Sequence, residues 1–310
     1  MSRVLLTGAS GFVGRATAVG LLAAGETVAG VGRNPAAMPA GVTPVIADML
    51  GEPDAVVGFL REARPETLIH AAWSTEHGRY WSDPANLDWT ARTLGLVRAF
   101  VEAGGRRIVT IGTCAEYDWT VLGGEPCREA TTPLRPHTLY GAAKHAMALL
   151  VGAYCGTTGV AHAHARLFLL YGDGEQPARL VPSLARSLLA GQPARTTSGR
   201  QVRDFMDVRD AGAAIAAIAR SDRTGAVNVA TGTPVPVRAV AETIGELTGR
   251  SDLLEFGALP DRPDDPAYLV ADVGILTGEV GFRPTISLRD GLRHAVAAWR
   301  SGPGAADHGH

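Results

Sequence analysis

Three glycines spaced three residues apart, Gly8, Gly11 and Gly14, interrupt the chain directly after its first apolar run. Arg3–Leu6 reads as a short buried strand and Arg15–Ala24 as an amphipathic helix, so the glycines fill a strand-to-helix turn. Glycine lets such a turn bend tightly and lets a pyrophosphate approach the backbone, where the helix N-terminus offers unpaired N–H groups. The segment Thr7-Gly8-Ala9-Ser10-Gly11-Phe12-Val13-Gly14 is therefore expected to cradle a dinucleotide, with Gly8, Gly11, Phe12, Val13 and Gly14 against it.

Further apolar runs follow at Thr27–Val31, Val45–Asp48, Thr67–Ala72 and Arg107–Gly112, with helical patterns at Asp54–Arg64 and Asp88–Ala103 between them. Strands alternating with helices predict an α/β fold, a Rossmann-type doubly wound parallel sheet. An NAD site usually carries an acid at the end of the second strand, whereas an arginine accommodates the 2′-phosphate of NADP. Gly32 and Arg33 stand there, so NADP(H) is expected, with NAD(H) still possible. Asp48, next to Met49, is positioned to accept from the adenine amine.

Within a helical pattern over Pro136–Tyr154, Tyr140 and Lys144 lie one turn apart on one face. A free tyrosine has a pKa of about 10. A nearby cation favours tyrosinate, so the pair is expected to exchange a proton with an alcohol or ketone.

Composition narrows the partners. The 310 residues are 46% hydrophobic and 19% charged, with a net charge of −2 and no Lys/Arg-rich run. Neither nucleic acid nor an anionic membrane is expected. Cys114, Cys127 and Cys155 are sparse and lack Cys-x-x-Cys spacing, which suits free thiols in a reducing compartment. The chain enters its first strand without a signal-peptide pattern, and no stretch has transmembrane length, so a cytoplasmic location is expected. His162 and His164 share a strand face without a third ligand, so no metal is expected. Residues 301–310 read as a frayed tail.

Taken together, these motifs resemble the extended short-chain dehydrogenases/reductases, in their nucleotide-sugar epimerase/dehydratase branch. Thr7–Gly14, Asp48, His70-Ala71-Ala72, Thr113, and the Tyr140–Lys144 pair match that family's motifs in order. So do Arg166-Leu167-Phe168 with Tyr171-Gly172, Gly199–Phe205, and Gly281–Pro284 with Leu288–Leu292. The resemblance implies that Ala71 and Ala72 line the cofactor and that Thr113, Tyr140 and Lys144 are catalytic. It further implies a smaller, interwoven C-terminal α/β substrate domain. The cofactor domain spans 1–165 and about 206–231, the substrate domain 166–205 and 232–300. A homodimer is implied, through helices 88–103 and 138–154.

Subclass rests on departures from the family pattern. Dehydratases carry Asp-Glu directly after the catalytic threonine; here Cys114-Ala115 stand there, and Glu116 falls one place late and is expected to point elsewhere. With Arg33, this points to an NADPH-dependent ketoreductase of a nucleotide-linked 4-keto-6-deoxyhexose. An NAD-dependent 4-epimerase is the alternative. A non-catalytic dinucleotide-binding regulator is disfavoured, because such relatives usually lose the Tyr and Lys. The family asparagine is Leu169 here, which leaves Arg203, Arg179 and Arg262 for the substrate diphosphate. Trp73, beside Ala72, is expected to wall the substrate site; Trp89 is expected in the core.

Overall fold

The computed structural model describes residues 3–263 and 265–301. From the N-terminus the chain forms β1 (Val4–Thr7), α1 (Phe12–Ala23), β2 (Val28–Gly32), β3 (Thr43–Ile46), α2 (Pro53–Ala63) and β4 (Thr67–His70). It continues through α3 (Ala85–Glu102), β5 (Arg107–Thr113), α4 (Leu139–Thr158), β6 (Ala161–Leu167), β7 (Leu169–Tyr171) and α5 (Leu180–Leu189). Short strands follow, β8 (Ala194–Arg195), β9 (Val202–Arg203) and β10 (Phe205–Asp207), then α6 (Val208–Arg220) and β11 (Gly225–Val229). The last segment holds β12 (Val235–Pro236), α7 (Val237–Thr248), β13 (Leu254–Glu255), β14 (Tyr268–Leu269), α8 (Gly274–Gly278) and α9 (Leu288–Ser301).

Seven strands form one sheet in the order β11-β6-β5-β4-β1-β2-β3, and every pairing is parallel. This is the Rossmann-type doubly wound sheet. Strand order reverses between β1 and β4, which opens a crevice at their carboxyl ends. Side chains alternate across the sheet. Val4 and Leu6 pack with Ala18, Leu21 and Ile215 on the α1/α6 face. Leu5 packs with Leu60, Phe100 and Met147 on the face covered by α2, α3 and α4.

Several boundaries differ from the sequence expectation, and two of them bear on the site. The third strand begins two residues earlier, at Thr43, so Asp48 falls in the turn after it. Pro44 lacks an N–H, yet β3 is the sheet edge, where that donor is not needed. Helix α4 starts at Leu139 rather than Pro136, because the Thr138 side chain accepts from Gly141 N and caps it. It ends where Gly159 adopts φ +73°, a left-handed cap.

A second core gathers Leu184, Leu188, Val240, Ile244 and Leu292 between α5, α7 and α9. The chain weaves between the two cores. After β7–β10 it returns through α6 and β11 to the large sheet. Val273, Ile275, Leu276, Val280 and Phe282 also pack on the α1/α6 side of that sheet, a late excursion the sequence did not announce. Apart from Ser301 at the end of α9, the tail expected to fray lies outside the described residues. Among the described residues no helix is long and apolar enough to cross a membrane.

Candidate active site

The glycine turn is packed backbone to backbone. Gly8 has φ +71°, and a Cβ there would lie 2.8 Å from Ala72 N; a Cβ on Gly14 would overlap the Gly8 carbonyl. Helix α1 is capped by Gly11 with no side-chain acceptor, so its first N–H groups remain available to an anion. Phe12 and Val13 open that helix, half-buried. A bare turn of this kind fits a dinucleotide pyrophosphate.

Beneath it, Thr7 Oγ1 accepts from Ala72 N at 3.2 Å and lies 2.8 Å from His70 Nδ1. Thr93 donates its hydroxyl proton to Trp89 O, so it accepts from His70 Nε2–H, and Nδ1 accepts from Thr7. Burial, with Lys144 nearby, lowers the His70 pKa to about 3. His70 is thus a neutral strut under Ala71 and Ala72, 1% exposed, rather than part of the lining itself. At the other end of the crevice Asp48 accepts from Leu50 N through one oxygen, beside buried Met49. Arg33 stands exposed with no hydrogen-bond or ion-pair partner among the described residues.

Thr113 ends β5, and Tyr140 and Lys144 lie in the first turns of α4. All three are buried. Thr113 Oγ1 accepts from Ala115 N at 3.2 Å, which leaves its proton free to point at the Tyr140 phenol. Tyr80 and Trp81 meet the Tyr140 ring edge-on, with centroids at 4.9 and 5.9 Å, and Tyr140 N donates to Trp81 O. Lys144 Nζ donates to Ile111 O at 2.9 Å and sits 3.8 Å from the Trp73 ring centroid.

This geometry corrects one expectation. The ammonium is held by Ile111 O and Trp73, 6.0 Å from the Tyr140 ring centroid, and does not dominate the phenol. Burial instead raises the Tyr140 pKa, Tyr80 adds to it, and the Thr113 hydrogen bond only partly opposes it. Burial also lowers Lys144 to about 7, against the pull of Glu116. Lys144 is the single lysine among 29 Lys and Arg residues.

Of the residues expected at the substrate, two arginines converge. Arg179, the N-cap of α5, lies 5.6 Å from the Tyr80 ring centroid. Burial first, then Arg179 and Arg262, lower His77; both arginines also oppose the burial that pushes Tyr80 up to about 12. Arg203 departs from expectation. It is 4% exposed and committed to Asp265 Oδ1 at 2.5 Å and Val202 O at 2.8 Å. Trp73 is half-buried, donates to Asn86 Oδ1, stacks near Trp89, and offers its face to Lys144 rather than standing as an open wall. Trp89 is buried in the core, as expected.

Sequence reasoning missed Tyr80 and Glu175 here, saw Trp81 only as one of several tryptophans near the sheet's carboxyl edge, and expected Glu116 to point elsewhere. Tyr80 and Trp81 come from the loop after β4, whose side-chain directions no periodicity encodes. Glu175 is buried with Oε2 unpartnered; burial raises it to about 8 against Arg179 and Gly172 N–H. Glu116 is fully buried behind Thr113, and the Thr-x-x-Glu capping-box pattern was the signal that could have found it. Burial first raises the cysteine thiols, Cys114 to about 12 and Cys155 to about 11, which suits inert packing more than nucleophiles.

Comparison with known proteins agrees with this geometry. The family model described as "NAD dependent epimerase/dehydratase family" matches residues 4–230. The chain is 27% identical over 315 residues to the dTDP-6-deoxy-L-talose 4-dehydrogenase (NAD(P)(+)) of Kitasatospora kifunensis, covering 97% of each chain. It is 32% identical over 245 residues to a 3-diazoavenalumate denitrifying reductase of a Streptomyces species, covering 76% of this chain and 77% of that protein. It superposes on the Thermus thermophilus UDP-glucose 4-epimerase in complex with NAD with a TM-score of 0.86 at 27% identity, over 97% of this chain and 99% of that one. A bare glycine turn at the sheet crevice, a buried Thr–Tyr–Lys set and these similarities lead to one assignment: the chain belongs to the NAD-dependent epimerase/dehydratase family of extended short-chain dehydrogenases/reductases, and it is an NAD(P)-dependent enzyme.

Proposed function

We propose that the enzyme is an NADPH-dependent ketoreductase acting on a nucleotide-linked 4-keto-6-deoxyhexose. The observation that carries this reading is exposed Arg33, without a partner among the described residues, where an NAD site carries an acid; in the same site Tyr140 is a buried phenol that keeps its proton. A phenol in that state is a proton donor, which a carbonyl oxygen requires as its carbon is reduced. The dihydronicotinamide supplies the hydride when bound. Tyr140 gives its proton to the substrate oxygen, and Thr113 donates a hydrogen bond to the same atom. Lys144, next to the crevice, serves the nicotinamide ribose and restores charge near Tyr140. Tyr80 and Trp81 keep water from the phenol.

Exposed Arg33, unpaired among the described residues, suits the 2′-phosphate of NADP, and Asp48 keeps one carboxylate oxygen for the adenine amine. Arg179 and Arg262 supply a bidentate pair for the substrate diphosphate; Arg203 joins them only by leaving Asp265. Residues 1–165 and 206–231 act as the cofactor unit and 166–205 and 232–300 as the substrate unit, apart from the stretch around 273–282, which packs on the large sheet. Buried free thiols suit the reducing cytoplasm. Cys114-Ala115 disfavour dehydration. The Thermus relative, solved with NAD, favours a second reading, an NAD-dependent 4-epimerase.

The test is a purified-protein assay with a dTDP-linked 4-keto-6-deoxyhexose. NADPH is expected to be consumed, and Tyr140→Phe to lower kcat by about 10²–10⁴-fold with NADPH binding retained. Interconversion of sugar epimers by protein with bound NAD, without NADPH consumption, would overturn the reductase in favour of the epimerase.

A further inference from the structure

Behind the catalytic turn lies a buried charge cluster that the reaction above does not use. Glu116 is completely buried. Its Oε1 accepts from Thr113 N at 2.8 Å and from His164 Nε2 at 2.9 Å; its Oε2 accepts from Arg166 Nε at 3.0 Å. Arg166 extends the cluster to Tyr117 Oη, which donates to Asn228 Oδ1 on β11. Burial pushes Glu116 up, but His164, Arg166 and the Thr113 N–H outweigh it and hold the carboxyl at about 2. The group is therefore an anion at any working pH.

Its location is specific. Lys144 Nζ binds the carbonyl of Ile111, and Glu116 binds the N–H of Thr113. The two charges bracket Gly112, and a Cβ on Gly112 would overlap both His164 Nε2 and Glu116 Oε1. The carboxylate thus grips the turn that presents the Thr113 hydroxyl, on the same three-residue stretch that holds the ammonium. Other ionisable groups facing Glu116 are His145 from α4 and Cys114 from its own turn; His70 from β4 and Tyr140 share the surroundings of Lys144.

We propose that Glu116 is a positioning residue for the catalytic turn: its carboxylate clamps Thr113 from behind and provides the buried counter-charge that keeps Lys144 an ammonium. A burial that lowers Lys144 to about 7 leaves little margin, and Glu116 is the charge acting in the opposite direction. The catalytic part of this inference rests on the roles given above to Thr113 and Lys144; the electrostatic part rests on the two charges gripping residues 111 and 113 of one strand end.

The lone lysine makes the test direct. Protein labelled with [ε-¹³C]lysine has a single lysine side-chain signal, so its titration reports Lys144 without substrate. In Glu116→Gln the midpoint is expected to move to lower pH, and kcat to fall about tenfold with KM little changed. An unmoved midpoint overturns the proposal. Glu116→Gln/Arg166→Gln, which leaves no unpaired guanidinium, covers the case in which the single variant does not fold. It is expected to keep the lowered midpoint, whereas recovery of the wild-type midpoint and kcat would reduce Glu116 to neutralising Arg166 and overturn the proposal. Should wild-type protein turn over no keto-sugar, the functional reading falls, while the lysine midpoint still decides the electrostatic role of Glu116.

Discussion

A guanidinium never loses its charge in a protein, whereas a buried ammonium does so readily. This chain uses arginine for every basic residue but one and keeps lysine only at position 144. The choice puts the one Lys/Arg side chain that burial neutralises readily beside Glu116, the anion that opposes that loss. Arg33 shows the opposite need, a fixed cation at a loop. A Cβ on Gly32 would lie 2.7 Å from Ser10 Oγ and 3.0 Å from Met38 Cε, so a side chain there requires the ends of those two side chains to shift. Arg33→Ala is expected to weaken NADPH binding about tenfold and leave NADH binding unchanged, measured by fluorescence titration. Equal loss for both cofactors would assign Arg33 a general role. Tyr140 and Lys144 were legible as neighbours because i, i+4 spacing fixes one helix face, and Thr113 was expected beside them only through the family resemblance. The direction of the Lys144 ammonium was not, because i, i+4 spacing selects a face and not a partner. Nor was the fate of Arg203, whose carboxylate partner Asp265 is 62 residues away.

At the scale of elements, α3 and α4 pack against each other and on the large sheet, yet they leave apolar side chains outside. Leu87 and Leu149 are 60% exposed and Leu150 is 52% exposed. Such a face suits the homodimer contact expected from the sequence. Leu149→Glu combined with Leu150→Glu is expected to give a folded monomer at micromolar concentration, by light scattering with circular dichroism as the fold control. A wild-type monomer, or a variant that remains dimeric, would move the interface elsewhere. Helices α1–α4 and strands β1–β5 were legible because their apolar periods persist over several residues, whereas β11 and the helices after α4 were not placed individually. The two-residue strands β8, β9 and β12–β14 were not either, since two residues establish no period. Helix starts depended on single capping side chains such as Thr138.

For the whole molecule, stability in acid follows from buried histidines. Burial first lowers both His70 and His162 to about 3. The unfolded chain binds those protons near pH 6.5, and the native state does not. Stability is therefore complete above that pH and falls as pH drops toward 3, at roughly 1.4 kcal/mol per group per pH unit. Glu116, depressed to about 2, adds a further loss below its unfolded value. The urea midpoint is expected to be clearly lower at pH 5 than at pH 7.5; an equal midpoint would mean that these histidines take up protons in the native state.

The order of strands also imposes an order on synthesis. β6 lies between β5 and β11, but β11 is made only after residue 224, long after β6 ends at Leu167. At translation rates of about 5–20 residues per second, β6 waits several seconds on the ribosome with one side open. Its sequence, Ala-His-Ala-His-Ala-Arg-Leu, carries a polar group at every second position up to the arginine. Such a strand is a poor template for a stray neighbour. His164 and Arg166, which hold Glu116 in the folded protein, are among the polar groups that make the waiting strand such a poor template.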